Sequence, residues 1–132
     1  MGKEKLLREI IENGFPEKEV VLDLKSYFEE NKDPHSIGVN LGPHPGLEKF
    51  YSILKEIKSS PKTENIWVRI ADVDDEEWFY SDAIYIIGDW TIPELKDKLE
   101  ELSPDEIYLG WMYNKPEHID YHEGKVHSIW WD

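Results

Sequence analysis

Leu6, Leu7, Ile10 and Ile11 recur at i, i+1, i+4 and i+5. That is one face of a 3.6-residue period and predicts a helix over 3–13. Gly14 closes the helix, and Phe15-Pro16 prevents its continuation. Val20, Val21 and Leu22 read as a short strand, or as an apolar lead-in to a second helix that Asp23 caps and that runs through Phe28. Ile37, Val39 and Leu41 alternate with Gly38 and Asn40, the period of a half-buried strand. The run Gly42-Pro43-His44-Pro45-Gly46 is a turn. A helix over about 46–59 follows, with Leu47, Phe50, Tyr51, Ile53, Leu54 and Ile57 on its inward stripe.

Strand alternation returns at Ile66, Val68 and Ile70, predicting a strand over about 65–73, and a second strand spans 83–87. A long acidic connection joins the two and suits an exposed hairpin. Thr91 and Glu94 form a capping box, with Trp90 and Leu95 placed as a hydrophobic staple, and the helix they start runs to about Leu102. Strands over 107–112 and 126–131 flank a loop at 114–124. This order predicts an α+β fold in a single domain, 1–132. An antiparallel or mixed sheet of four to six strands packs on two or three helices, with the first helix, 1–14, peripheral. Trp130 and Trp131 fall on opposite faces of the last strand. One fills the core and the other needs a cover, while Asp132 guards the strand edge with charge.

Composition narrows the classes. The chain has 132 residues and no cysteine, which removes disulfides, thiolate catalysis and Cys-ligated zinc. No apolar run has the length of a signal peptide or a membrane span, so the expected setting is the cytoplasm. The formal net charge is −14. Residues 1–60 carry 9 basic and 11 acidic side chains, and residues 61–132 carry 6 and 18. All six tryptophans lie in the second part. Such a field repels nucleic-acid phosphates and anionic lipid, and it attracts basic proteins.

The densest acidic stretch is 72–77, where Asp72, Asp74, Asp75, Glu76 and Glu77 leave only Val73 uncharged. It is not a calcium loop, because the sixth and twelfth positions are Glu77 and Ala83 where Gly and Glu are required. With Trp78 and Tyr80 beside it, it reads as an anionic docking patch, since large aromatics dominate interface energetics. His118 and His122 stand four apart, the spacing of a helical metal pair, with Glu117, Asp120 and His127 as loop-built partners. Pro116 and Gly124 argue against a helix there, so they are weak metal candidates. His44, ahead of a helix N-terminus, is a candidate general base. No nucleophile elbow, Walker loop or dinucleotide fingerprint occurs, so neither a catalytic set nor a cofactor is implied.

Phe28, Asn31, Ser36-Ile37-Gly38, Asn40-Leu41, Pro43-His44-Pro45-Gly46 and Phe50-Tyr51 together resemble a family of small uncharacterised bacterial proteins. Phe79-Tyr80-Ser81-Asp82, Gly110-Trp111 and Trp130-Trp131-Asp132 are similar to that family's second half. The resemblance covers about residues 20–132 and leaves the first helix outside. It implies a bacterial, cytosolic setting and brings no activity with it.

The sequence therefore favours an acidic protein-binding module, of inhibitor or immunity type, that neutralises a basic toxin or enzyme. One alternative is a small hydrolase-like or metal-binding enzyme working through the histidine loops. Another is a homo-oligomeric module, a homodimer joined through the C-terminal strand.

Overall fold

The computed structural model describes residues 2–74 and 77–132. Among the described residues, four α-helices pack with one five-stranded antiparallel sheet, in an α+β arrangement. In chain order the elements are α1 (Lys3–Glu12), β1 (Val21–Asp23), α2 (Leu24–Phe28), α3 (Leu47–Ser59), β2 (Thr63–Arg69), β3 (Ala83–Gly88), α4 (Ile92–Lys98), β4 (Glu106–Leu109) and β5 (Lys125–Trp130). Short 3-10 turns occupy Pro34–Ser36 and Glu100–Leu102.

Local chemistry explains most boundaries. Asp23 caps α2 by accepting from Ser26 N–H at 2.8 Å. Thr91 and Glu94 close both halves of the capping box on α4. The buried residues of α3 are Phe50, Leu54 and Ile57, one stripe of a 3.6-residue period. Gly14 sits at φ 106, a left-handed conformation that ends α1.

Four boundaries differ from the sequence reading, the first being α4, which ends at Lys98 and not near Leu102, where a separate 3-10 turn follows. Residues 37–41 form no strand. Gly38 lies at φ 63, outside the β region, and Leu41 N–H returns to Gly38 O at 3.0 Å. Only Ile37 bridges, in parallel, to Ser81. β2 ends at Arg69, after which Asp72 pairs with Tyr80 as an isolated bridge. β4 ends at Leu109 because Gly110, at φ 99, turns the chain out of the sheet.

The strand order is β1-β2-β3-β5-β4. The last strand is therefore interior. β5 pairs with β3 on one side and β4 on the other. An edge-to-edge dimer through it has no open ladder to use, and Asp132 guards no edge. The edges are β1 and β4.

One face of the sheet carries Val68, Ile84 and Ile129 in register against the helices. Trp131 continues this face into the core, and its indole N–H donates to Leu102 O at 2.8 Å. Trp130, on the opposite face, is half-buried. That opposite face, with Trp67, Tyr85 and Ser128 in register, is covered by residues 110–124, a strap rather than a free loop. All six residues of β3 are buried, as a central strand covered on both faces must be.

Candidate functional site

The described parts of the acidic connection between β2 and β3 pair with each other and are laced to the body. Ala71 N–H donates to Tyr80 O at 2.8 Å, and Tyr80 N–H donates to Asp72 O at 2.9 Å. Ser81 N–H then donates to Ser36 O at 2.8 Å. The Tyr27 hydroxyl bridges the carbonyls of Ser36 and Phe79, at 2.9 and 2.8 Å. This lacing drives the aromatics inward. Trp78 is 3% exposed and packs on Tyr27 and Phe79, so it is a core residue and not a surface anchor. Its indole nitrogen is buried with no hydrogen-bond partner among the described residues. Tyr80 is half-buried; burial, and after it Asp82, raises its phenol pKa. Asp72, Asp74 and Glu77 remain exposed, and Asp72 Oδ1 accepts from Asp74 N–H at 3.0 Å. Asp75 and Glu76 lie outside the described residues.

Beside this connection opens a cleft of about 560 Å³ lined by Lys3, Glu29, Glu30, Lys32, Asp33, Glu77 and Trp78. Four carboxylates face two ammonium groups, an excess of two negative charges. They come from α1, from the end of α2 with the turn after it, and from the 70–82 connection. The sequence reading found only Glu77 and Trp78 of this set. Glu29, Glu30 and Asp33 carry no local signal, because a charged pair after a short helix is ordinary surface until the fold brings it to another segment.

The histidines are tied down separately. His118 Nε2 accepts the Val21 N–H at 3.1 Å, on the outer side of β1. Burial lowers its pKa, and Lys115 lowers it further. His122 Nε2 accepts the Trp67 indole N–H at 3.1 Å. An indole only donates, so that nitrogen is unprotonated, and Nδ1 faces Glu64 Oε2 at 2.7 Å. Gly124 N–H, and then His122, hold the Glu64 carboxyl below its usual range. His127 is buried with Nδ1 at 3.0 Å from Ile86 O. Of the suggested loop partners, Glu117 pairs with Lys18 at 3.5 Å and Asp120 is exposed. His44 Nδ1 accepts Gly46 N–H at 2.9 Å, so Nε2 carries the proton toward Ile37 O at 2.7 Å. Both nitrogens are spent on holding the turn. Among the described residues no group of three or more His, Asp or Glu side chains is arranged to hold a metal ion.

A second charged cluster escaped sequence reading altogether. Arg69 Nε donates to Glu19 Oε1 at 2.7 Å, and its Nη1 donates to Asp82 Oδ1 at 2.9 Å. Tyr113 Oη donates to Asp82 Oδ2 at 2.9 Å, while the guanidinium lies 3.6 Å from the centre of the Tyr113 ring. Burial penalises the Arg69 charge, but Glu19 and Asp82 outweigh that penalty and hold its pKa above the usual arginine value. Tyr85 lies under the strap against Trp111, and burial pushes its phenol pKa up. These groups are consumed by one another, so the cluster fastens the strap to the sheet instead of presenting chemistry.

A family model described as the Uncharacterized protein YfbO family matches residues 1–130. The chain belongs to that family. It is similar to the Uncharacterized protein YfbO of Escherichia coli (strain K12), with 28% identity over 117 residues, 85% of this chain and 82% of that relative. The family match takes in α1, which the resemblance seen in the sequence left outside. No solved structure matches the chain. Among the described residues, no helix of this family member is long and apolar enough to cross a membrane.

Proposed function

We propose that the chain is an acidic protein-binding module of the cytoplasm, an inhibitor or immunity-type protein that docks a basic partner at the cleft beside the 70–82 connection. The observation that carries this reading is the convergence of Glu29, Glu30, Asp33 and Glu77, from separate segments, on one cleft of about 560 Å³. With a formal net charge of −14 behind it, such a cleft speeds encounter with a positive surface and selects against negative ones. Asp72 and Asp74 extend the same charge along the connection. Trp78 contributes as a rigid wall and not as an inserted anchor.

The test is low-salt affinity capture with the tagged chain in an extract of its own host, eluted by rising salt. A stoichiometric basic protein that elutes with salt supports the reading. The combined variant Glu29→Gln, Glu30→Gln, Glu77→Gln is expected to lose that protein at lower salt. Identical elution from wild type and variant rules the cleft out.

A further inference from the structure

The two edges of the sheet are treated differently. On β1, Ile70 N–H donates to Val20 O, which turns the amide of Val21 outward, and His118 Nε2 accepts it at 3.1 Å. That edge is three residues long and closed by the strap. β4 has no such cover. Gly110 N–H donates to Val126 O, and Leu109 is in register with His127, so residues 110, 108 and 106 hold the bonds to β5. The alternate residues, Ile107 and Leu109, turn their N–H and C=O groups outward, and among the described residues no hydrogen bond reaches them. An edge strand left in this state templates pairing with another chain unless charge, proline or a bulge blunts it. Here the only charge within β4 is Glu106, and its far end exposes Leu109 at 65% and Tyr108 at 37%.

The surroundings of this edge are acidic. A groove of about 240 Å³ opens at the start of this strand, lined by Glu100, Asp105, Glu106 and Ile107, with Lys96 as the one basic group in its lining. The geometry points to β4 as an acceptor edge for an extended basic segment of a partner protein, which adds as a sixth strand. Main-chain bonds to Ile107 and Leu109 supply affinity, and alternate side chains supply selection. Residues opposite Ile107 and Leu109 fall on the helix side and are apolar. Those opposite Glu106 and Tyr108 fall on the other face, and the one opposite Glu106 is lysine or arginine. A second copy of the chain is the poorer occupant, because each copy carries a net charge of −14 and brings the same acidic groove. The inference is independent of the cleft, since none of the cleft's lining residues borders β4 or its groove.

The test is amide hydrogen exchange, read by NMR on the full chain. The probe is a short peptide of alternating lysine and valine, and the control is its glutamate–valine counterpart. Exchange at Ile107 and Leu109 is expected to slow about tenfold with saturating Lys–Val peptide, less as salt rises, and not at all with the control. Leu109→Pro removes one outward N–H without touching a bond to β5 and is expected to abolish the effect. Leu109→Lys keeps the backbone whole and weakens the effect through charge, so the result does not depend on the proline variant folding. Unchanged exchange at both amides, or equal slowing with the control peptide, overturns the proposal. Slowing that grows with protein concentration alone, with a dimer in sedimentation, also overturns it and assigns the edge to a second copy.

Discussion

Replacing Arg69 with alanine tests the strap anchor most directly. The guanidinium donates to Glu19 at 2.7 and 3.4 Å and to Asp82 at 2.9 Å, and it stacks on Tyr113. The side chains of Arg69, Glu19 and Asp82 are 14%, 21% and 18% exposed. Removing one partner of a buried ion pair costs about 3–5 kcal/mol, chiefly because the remaining charges stay desolvated. Both carboxylates keep about a fifth of their surface and regain some water, so the lower end, about 3 kcal/mol, is expected. With a urea m-value of about 2 kcal/mol/M, the unfolding midpoint falls by roughly 1.5 M. Arg69→Met combined with Glu19→Gln and Asp82→Asn is expected to recover most of that loss, since no charge is then stranded. Tryptophan fluorescence reports the unfolding. A loss below about 1 kcal/mol, the scale of an exposed ion pair, refutes the reasoning.

Two further predictions concern groups buried by the strap. His118 accepts the Val21 N–H only when neutral, and burial followed by Lys115 lowers its pKa from 6.5. The unfolded chain therefore takes up the proton first as pH falls, so this contribution is complete above that value and declines between it and the lower folded pKa. Stability curves of wild type and His118→Gln, measured from about pH 7.5 to 5.5, should differ in slope, the wild type losing stability as pH falls and the variant staying flatter; parallel curves refute the assignment. Tyr85 buries its hydroxyl with no hydrogen bond of full geometry among the described residues, the Tyr113 backbone being the one hydrogen-bonding group close enough to act on it. Tyr85→Phe should therefore be neutral or stabilise by about 1 kcal/mol in urea unfolding, and a loss of that size means the hydroxyl is bonded.

The candidate site was legible only in part. The 72–77 run was visible as charge, but its orientation was not. Trp78 follows five carboxylates in the chain and looks like a surface aromatic, until the Tyr27 bridge to Phe79 O pulls that stretch inward. The four-residue spacing of His118 and His122 suggested shared metal chemistry. The strap instead carries one to Val21 on an edge strand and the other to Trp67 on its neighbour. The outward amides of β4 had no sequence signal, because strand alternation gives a strand's faces and not its neighbours.

What the sequence determined by itself was local. The α3 stripe, the Asp23 cap, the Thr91–Glu94 box and the alternation of β2 all depend on residues a few positions apart and appear as read, while of the α1 stripe Leu6 and Ile10 are buried and Ile11 is exposed. The alternation at residues 37–41 misled, because a single left-handed glycine outweighs a weak period. Tertiary structure alone decided that β5 lies inside the sheet, that residues 110–124 cover its second face, and that Arg69 meets Glu19, Asp82 and Tyr113. Each of those facts joins segments far apart in the chain. Their pairing depends on which long-range packing buries both faces of β3, a global condition that no short window of sequence contains.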